Sequence, residues 1–190
     1  DWLGVFPAAC HPVQPSIVVS HPGITYGGVV HSGKLFGNQM IEAMQLLIAS
    51  YREQGYEKLL YKVTPSIYHR TPAQDDLYAL FRVGAQRLRC DLSSCIDLYA
   101  RRPASRRRQR NFATASNFGL QIKSGTHCAE FLWPVIEDNL RRKYQTKPVH
   151  QYREIEYLSH QFPDEIEFLV AGYQGRTVAG LVLFRCGTVI

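Results

Sequence analysis

No run in this chain approaches the roughly 18 apolar residues that would make a membrane-spanning helix, so none is expected. There is no charged-then-apolar leader either. The chain begins DWLGVF without a Met and stops at LFRCGTVI in the middle of an apolar run, which reads as a piece of something larger. Cysteine is sparse and scattered: Cys10, Cys90, Cys95, Cys128 and Cys186 are odd in number and none forms a CxxC pair. Structural metal sites need clustered soft ligands and secreted frameworks need dense, even spacing. The pattern therefore points to reduced thiols in a cytoplasmic protein, with no metal site. A G-x-S-x-G nucleophile elbow is missing, and no Ser-His-Asp order suggests itself, which sets a hydrolase aside.

What is present is the composition of a packed globular chain. Of 190 residues, 45% are apolar and 12% aromatic, enough for one ordinary domain and short for two. The net charge of +6 is concentrated: six arginines fall in ARRPASRRRQR, between Arg101 and Arg110, and without them the chain would be near neutral. Such a cluster suits phosphate groups of a nucleic acid, a coenzyme or a lipid head, or else forms a solvated linker and first helical turn. It lacks the interleaved aromatics on which single-stranded bases stack, so sequence-specific nucleic-acid binding is not expected.

The most regular stretch runs from Gly37 to Leu98. Met40, Met44, Leu47 and Tyr51, with Ile41 and Ile48 beside them, form one apolar helical stripe. Asn38 is the expected cap at its start and Gly55 its left-handed stop. EKLLYKVT reads as a buried strand. A second helix is expected from Thr71-Pro72, with Gln74 closing a capping box and Leu77, Leu80 and Phe81 inward. RLRCDLSSCIDLY alternates like a half-exposed strand. Upstream, DWLGVFPAA is a short strand, and SIVVSHPGITYGGVV gives two extended pieces broken at Pro22-Gly23. Gly27 and Gly28 would let backbone approach something bulky. Downstream come a helix end stopping at Gly119, the strand LQIKSG, and a helix from Thr126 with Phe131, Val135, Ile136 and Leu140 inward. That helix is expected to kink or start late at Pro134. A short helix with Ile155, Leu158 and Phe162 follows, then a hairpin turning through Tyr173-Gln174-Gly175-Arg176, with Gly175 available for positive φ.

Helix, strand, helix, strand between Gly37 and Leu98, with LYALFRVGAQ running into a strand, resembles the C-terminal half of the GNAT N-acyltransferase fold. YGG before it and DLYALF inside it are similar to the FemAB-like branch, in which two GNAT-like units follow one another. GRTVAGLVLF, preceded by PVHQYREIEYL, resembles the strand pair and helix with which such a unit opens. The resemblance implies an α/β (α+β) fold: a GNAT-like mixed sheet flanked by helices, with late elements in residues 1–100 and early elements in residues 101–190. Neither half would bury enough alone, so one continuous sheet is expected to join them.

The implied chemistry is attack of an amine on an acyl-CoA thioester or an aminoacyl ester, driven by positioning, one proton acceptor and an oxyanion donor. Gly33, Lys34, Gly37 and Asn38 give a loose version of the family's pyrophosphate loop before a helix N-terminus. Ser20, His21, Thr25 and Tyr26 would edge the substrate gap, with His21 the first candidate base. TPSIYHRTPAQDD, at the C-terminal end of a strand, offers His69 as the second base and Tyr68 or Tyr78 as the acid. The family's tyrosine position, four residues before the helix-closing Gly84, is Leu80 here. The acceptor would be a small molecule, a sugar or a cell-envelope precursor, and the arginine run would hold tRNA if the donor is charged tRNA. The alternative is a non-catalytic binding or assembly module of the same fold.

Overall fold

A computed structural model describes residues 2–190 and gives an α+β protein whose chain divides into two compact units between Leu92 and Ser93. No helix among the described residues is long and apolar enough to cross a membrane.

In the first unit, β1 (Gly4–Val5) pairs antiparallel with β4 (Val30–His31) as a small ribbon. A separate three-stranded mixed sheet has the order β2 (Ala8–Cys10), β3 (Ile17–Ser20), β5 (Lys58–Leu60). β3 runs antiparallel to β2 and parallel to β5. All four residues of β3 are buried, as a central strand covered on both faces requires. The parallel pair is joined through α1 (Gly37–Glu53), whose stripe of Met40, Ile41 and Met44 is buried as the spacing predicts. α1 packs against α2 (Asp75–Arg82), and Leu35 and Ala79 complete the core of the unit. Gly55 takes φ +89° just after α1, the left-handed stop that its position suggests.

Several local expectations give way to tertiary contacts. Asn38 does not cap α1; Gly37 N–H instead donates to Asp75 Oδ1 at 2.8 Å, from 38 residues away. Thr71 does not start α2, which begins at Asp75 with no side-chain cap. Ala79 is buried and Leu80 packs against the same cluster as expected, while Leu77 and Phe81 are exposed. The alternating segment after Gly84 forms no strand: residues 85–97 are exposed and without regular structure. Alternation alone does not make a strand when no neighbour supplies the ladder.

In the second unit, α3 (Arg106–Asn117) begins with Ser105 Oγ accepting from Arg108 N–H. Then come β6 (Gln121–Ser124), α4 (Cys128–Tyr144), α5 (Tyr152–Gln161) and the hairpin β7 (Ile166–Tyr173) to β8 (Arg176–Phe184). The three strands form an antiparallel sheet in the order β6-β7-β8. The turn falls where the sequence suggests, with Gly175 at positive φ as expected and Gln174 at positive φ beside it. Alternate residues Ile166, Phe168 and Val170 are buried against α4 and α5. α4 runs through Pro134, whose ring is exposed, and its inward face is Cys128, Ala129, Leu132 and Trp133. Of the residues expected inward, Ile136 packs against this cluster and Leu140 is half-buried, while Phe131 is exposed.

The hairpin and the strand at Lys58–Leu60 thus belong to different sheets, and each unit encloses its own buried cluster. The expectation of one continuous sheet joining the halves is corrected by this pairing.

Candidate functional site

The first unit carries a groove of about 760 Å³. Its walls are the β1/β4 ribbon, the turn between β4 and α1, and the loop of residues 64–76 that follows β5. Gly27 and Gly28 stand just before Val29, one of its lining residues. A Cβ on Gly27 would lie 2.4 Å from the His21 ring, and one on Gly28 would lie 2.3 Å from Tyr61 Oη. Tyr61 Oη accepts from Val29 N–H at 3.0 Å and donates to Asp76 Oδ2 at 3.1 Å, tying the strand after the glycines to the start of α2. Asp76 Oδ1 accepts from Leu77 N–H. Burial first, then the charge of Asp76, pushes the Tyr61 hydroxyl well above its ordinary pKa.

Both carboxylates of the loop are therefore committed: Asp76 to Tyr61 and Leu77, Asp75 to Gly37. The Asp75 bond also decides what the N-terminus of α1 can hold. An internal carboxylate occupies the first N–H of the helix, where the dipole favours negative charge. Nearby, Gly33 N–H and Leu35 N–H point back to His31 Nδ1, at 3.2 and 3.4 Å. A pyrophosphate here would meet a carboxylate already in place and amides already spent. Gly33, Lys34, Gly37 and Asn38 therefore do not fit a pyrophosphate cradle in this structure.

Two histidines line the groove with different commitments. Because His31 Nδ1 accepts from two backbone amides, its ring proton sits on Nε2, which makes that atom a hydrogen-bond donor. His69 Nδ1 is shut off from solvent and has no hydrogen-bond partner among the described residues. A buried polar atom without a partner is costly, and such atoms mark sites that a ligand or water completes. Tyr68 lines the same groove and stacks on Tyr26, with ring centroids 4.6 Å apart. Trp2, Leu3 and Phe36 make an apolar, exposed rim, and Arg70 adds a cation.

The remaining sequence candidates lie elsewhere. His21 is outside the groove lining; its backbone is left-handed (φ 41°) and its carbonyl accepts from Lys62 Nζ at 3.0 Å. Ser20 is fully buried and its Oγ accepts from Lys62 N–H at 2.8 Å, a link between the ends of β3 and β5. Thr25, Lys34 and Asn38 are exposed and outside the lining. Tyr78 sits on the outer side of α2, where its hydroxyl accepts from Arg82. His31 escaped the sequence reading. Its signal was the short H-S-G turn, where a ring nitrogen can receive amides two and four residues on.

Among the described residues, no group of three or more His, Cys, Asp or Glu side chains could hold a metal ion. Comparison with protein-family models, curated proteins and solved structures finds no match.

Proposed function

We propose that the groove of the first unit is the acceptor site of an acyl- or aminoacyl-transferase with a GNAT-like, FemAB-like ancestry. The observation that carries this reading is the uncommitted imidazole of His69 in the groove wall, opposite in role to the donor-locked His31. In the proposed step an acceptor amine attacks an activated acyl carbonyl. His69 takes the amine proton on Nε2, its Nδ1 being closed to solvent; His31 Nε2–H donates to the oxygen that gains charge, and the leaving group departs as the tetrahedral centre collapses. Tyr68, next to His69 in sequence, is the candidate to protonate that leaving group. The filled N-terminus of α1 argues that the donor's phosphates bind away from this groove. The separate sheets remove the shared-sheet argument, so the proposal rests on the groove and on the β3–α1–β5–α2 order around it.

A binding or assembly module is the second reading. It is favoured by the commitment of both Asp75 and Asp76 to structural bonds and by the apolar rim of Trp2, Leu3 and Phe36. Thermal-shift measurements with acyl-CoAs and charged tRNA separate the two, because a ligand that binds only the native state raises its melting temperature. The transferase reading expects stabilisation by at least one donor. It also expects His69→Ala to reduce turnover by roughly a hundredfold or more at an unchanged melting temperature, with His21→Ala far milder. No stabilisation by any saturating donor leaves the module. Full turnover in His69→Ala removes His69 as the base.

A further inference from the structure

The arginine-rich helix and the hairpin of the second unit line a second, unassigned and open groove of about 400 Å³, within the range of roughly 300–1,000 Å³ typical of small-ligand clefts. Phe118, Leu120, Tyr173 and Val178 form its apolar walls, and Thr114 and Ala115 form its helical side. Phe118 and Tyr173 meet edge to face, with centroids 6.4 Å apart.

The charge beside it is one-sided. Arg107, Arg110, Asn111, Thr114, Ala115 and Phe118 recur three and four apart, so they share one stripe of α3, and the two arginines stand just N-terminal to the groove. None of the six arginines between Arg101 and Arg110 makes an ion pair among the described residues. No Asp or Glu occurs in the sequence between Asp97 and Glu130. An apolar trough that ends on unpaired guanidinium groups is complementary to a molecule with an apolar body and an anionic end.

We infer that this groove binds a single amphiphilic anion, with an aliphatic chain laid between α3 and the hairpin and a phosphate or carboxylate head held by Arg107 and Arg110. The site is independent of the groove in the first unit and of the reaction proposed there.

Calorimetric titration of the intact 190-residue protein with octyl phosphate, below its micelle concentration, tests the inference. Saturable binding at one site is expected. It should weaken on the order of tenfold in the Arg107→Ala/Arg110→Ala double variant, and by a similar factor in Val178→Trp, which fills the trough. Octyl glucoside, with the same chain and a neutral head, and inorganic phosphate, with the head alone, should each bind at least as weakly as the variants. If Val178→Trp lowers the melting temperature, Thr114→Phe fills the groove from the helix side. Unchanged octyl phosphate affinity in either the charge-deleted or the groove-filled protein overturns the proposal. So does failure of octyl phosphate to bind while phosphatidylglycerol vesicles, or a tRNA, bind the wild type and the groove-filled variant alike.

Discussion

Gly28 and Tyr61 occupy one space between them, and that pairing explains both residues. A methyl group at Gly28 would sit 2.3 Å from the tyrosine hydroxyl, so the ring could not keep its bonds to Val29 and Asp76. Gly28→Ala should therefore destabilise the protein by about 1–3 kcal/mol, the usual cost of overpacking, measurable by denaturant unfolding. The pH dependence of the same cluster has a definite sign. Burial and the Asp76 carboxylate raise the folded-state pKa of Tyr61 above its ordinary 10.0, so the neutral phenol is favoured in the folded protein. Its stabilising contribution is complete below pH 10 and is lost as pH rises toward the folded value. Tyr152, in the other unit, behaves alike for a different reason: a hydrogen bond to Glu156 pushes it up to about 12. The melting temperature should fall above pH 10, less steeply in Tyr61→Phe than in the wild type. Equal slopes would show that Tyr61 ionises without regard to the fold.

Among the elements, α1 shows most clearly what long-range contacts decide. Its apolar stripe was legible because Met40, Ile41 and Met44 repeat at helical spacing, and Gly55 marks its end. Its beginning was not, because the group on its first amide, Asp75, lies 38 residues on and nothing local points to it. Asp75→Ala should cost about 1 kcal/mol, as for loss of a helix N-cap, while leaving the helix in place. Chemical denaturation measures the loss, and far-UV circular dichroism checks that the helix persists. The same substitution bears on function. If the carboxylate is what bars phosphates from the α1 terminus, Asp75→Ala should acquire weak affinity for inorganic pyrophosphate that the wild type lacks. α2 and α4 teach a related lesson: pattern gives the helices and part of the inward face, Leu80 and Ile136 packing as spacing suggests, but the partner surface decides how wide that face is. Phe81 and Phe131, read as core from spacing, are both exposed.

For the molecule as a whole, two buried clusters replace the single core expected of joined halves. Between them in sequence, residues 85–105 carry neither helix nor strand, and Leu88, Leu92 and Leu98 are among their exposed side chains. Backbone without a ladder opens at little cost, and proteases cut where it opens. Limited trypsin digestion should cleave first at Arg87, Arg89 or Arg101, giving two fragments identifiable by mass. A first cut inside α1 or α4 would contradict this division of the chain.

The α+β composition, most helices, the Gln174-Gly175 hairpin and the need for small residues at Gly27 and Gly28 were set by the sequence alone, since each depends on periodicity or on a backbone property of one residue type. Strand partnership, helix entry and the membership of the candidate site were decided only in three dimensions. His31 and His69 are far apart in sequence and carry no shared pattern. Folding alone spends the ring nitrogen of one on two amides and leaves that of the other unpaired, and no local rule for a single segment could have foretold which.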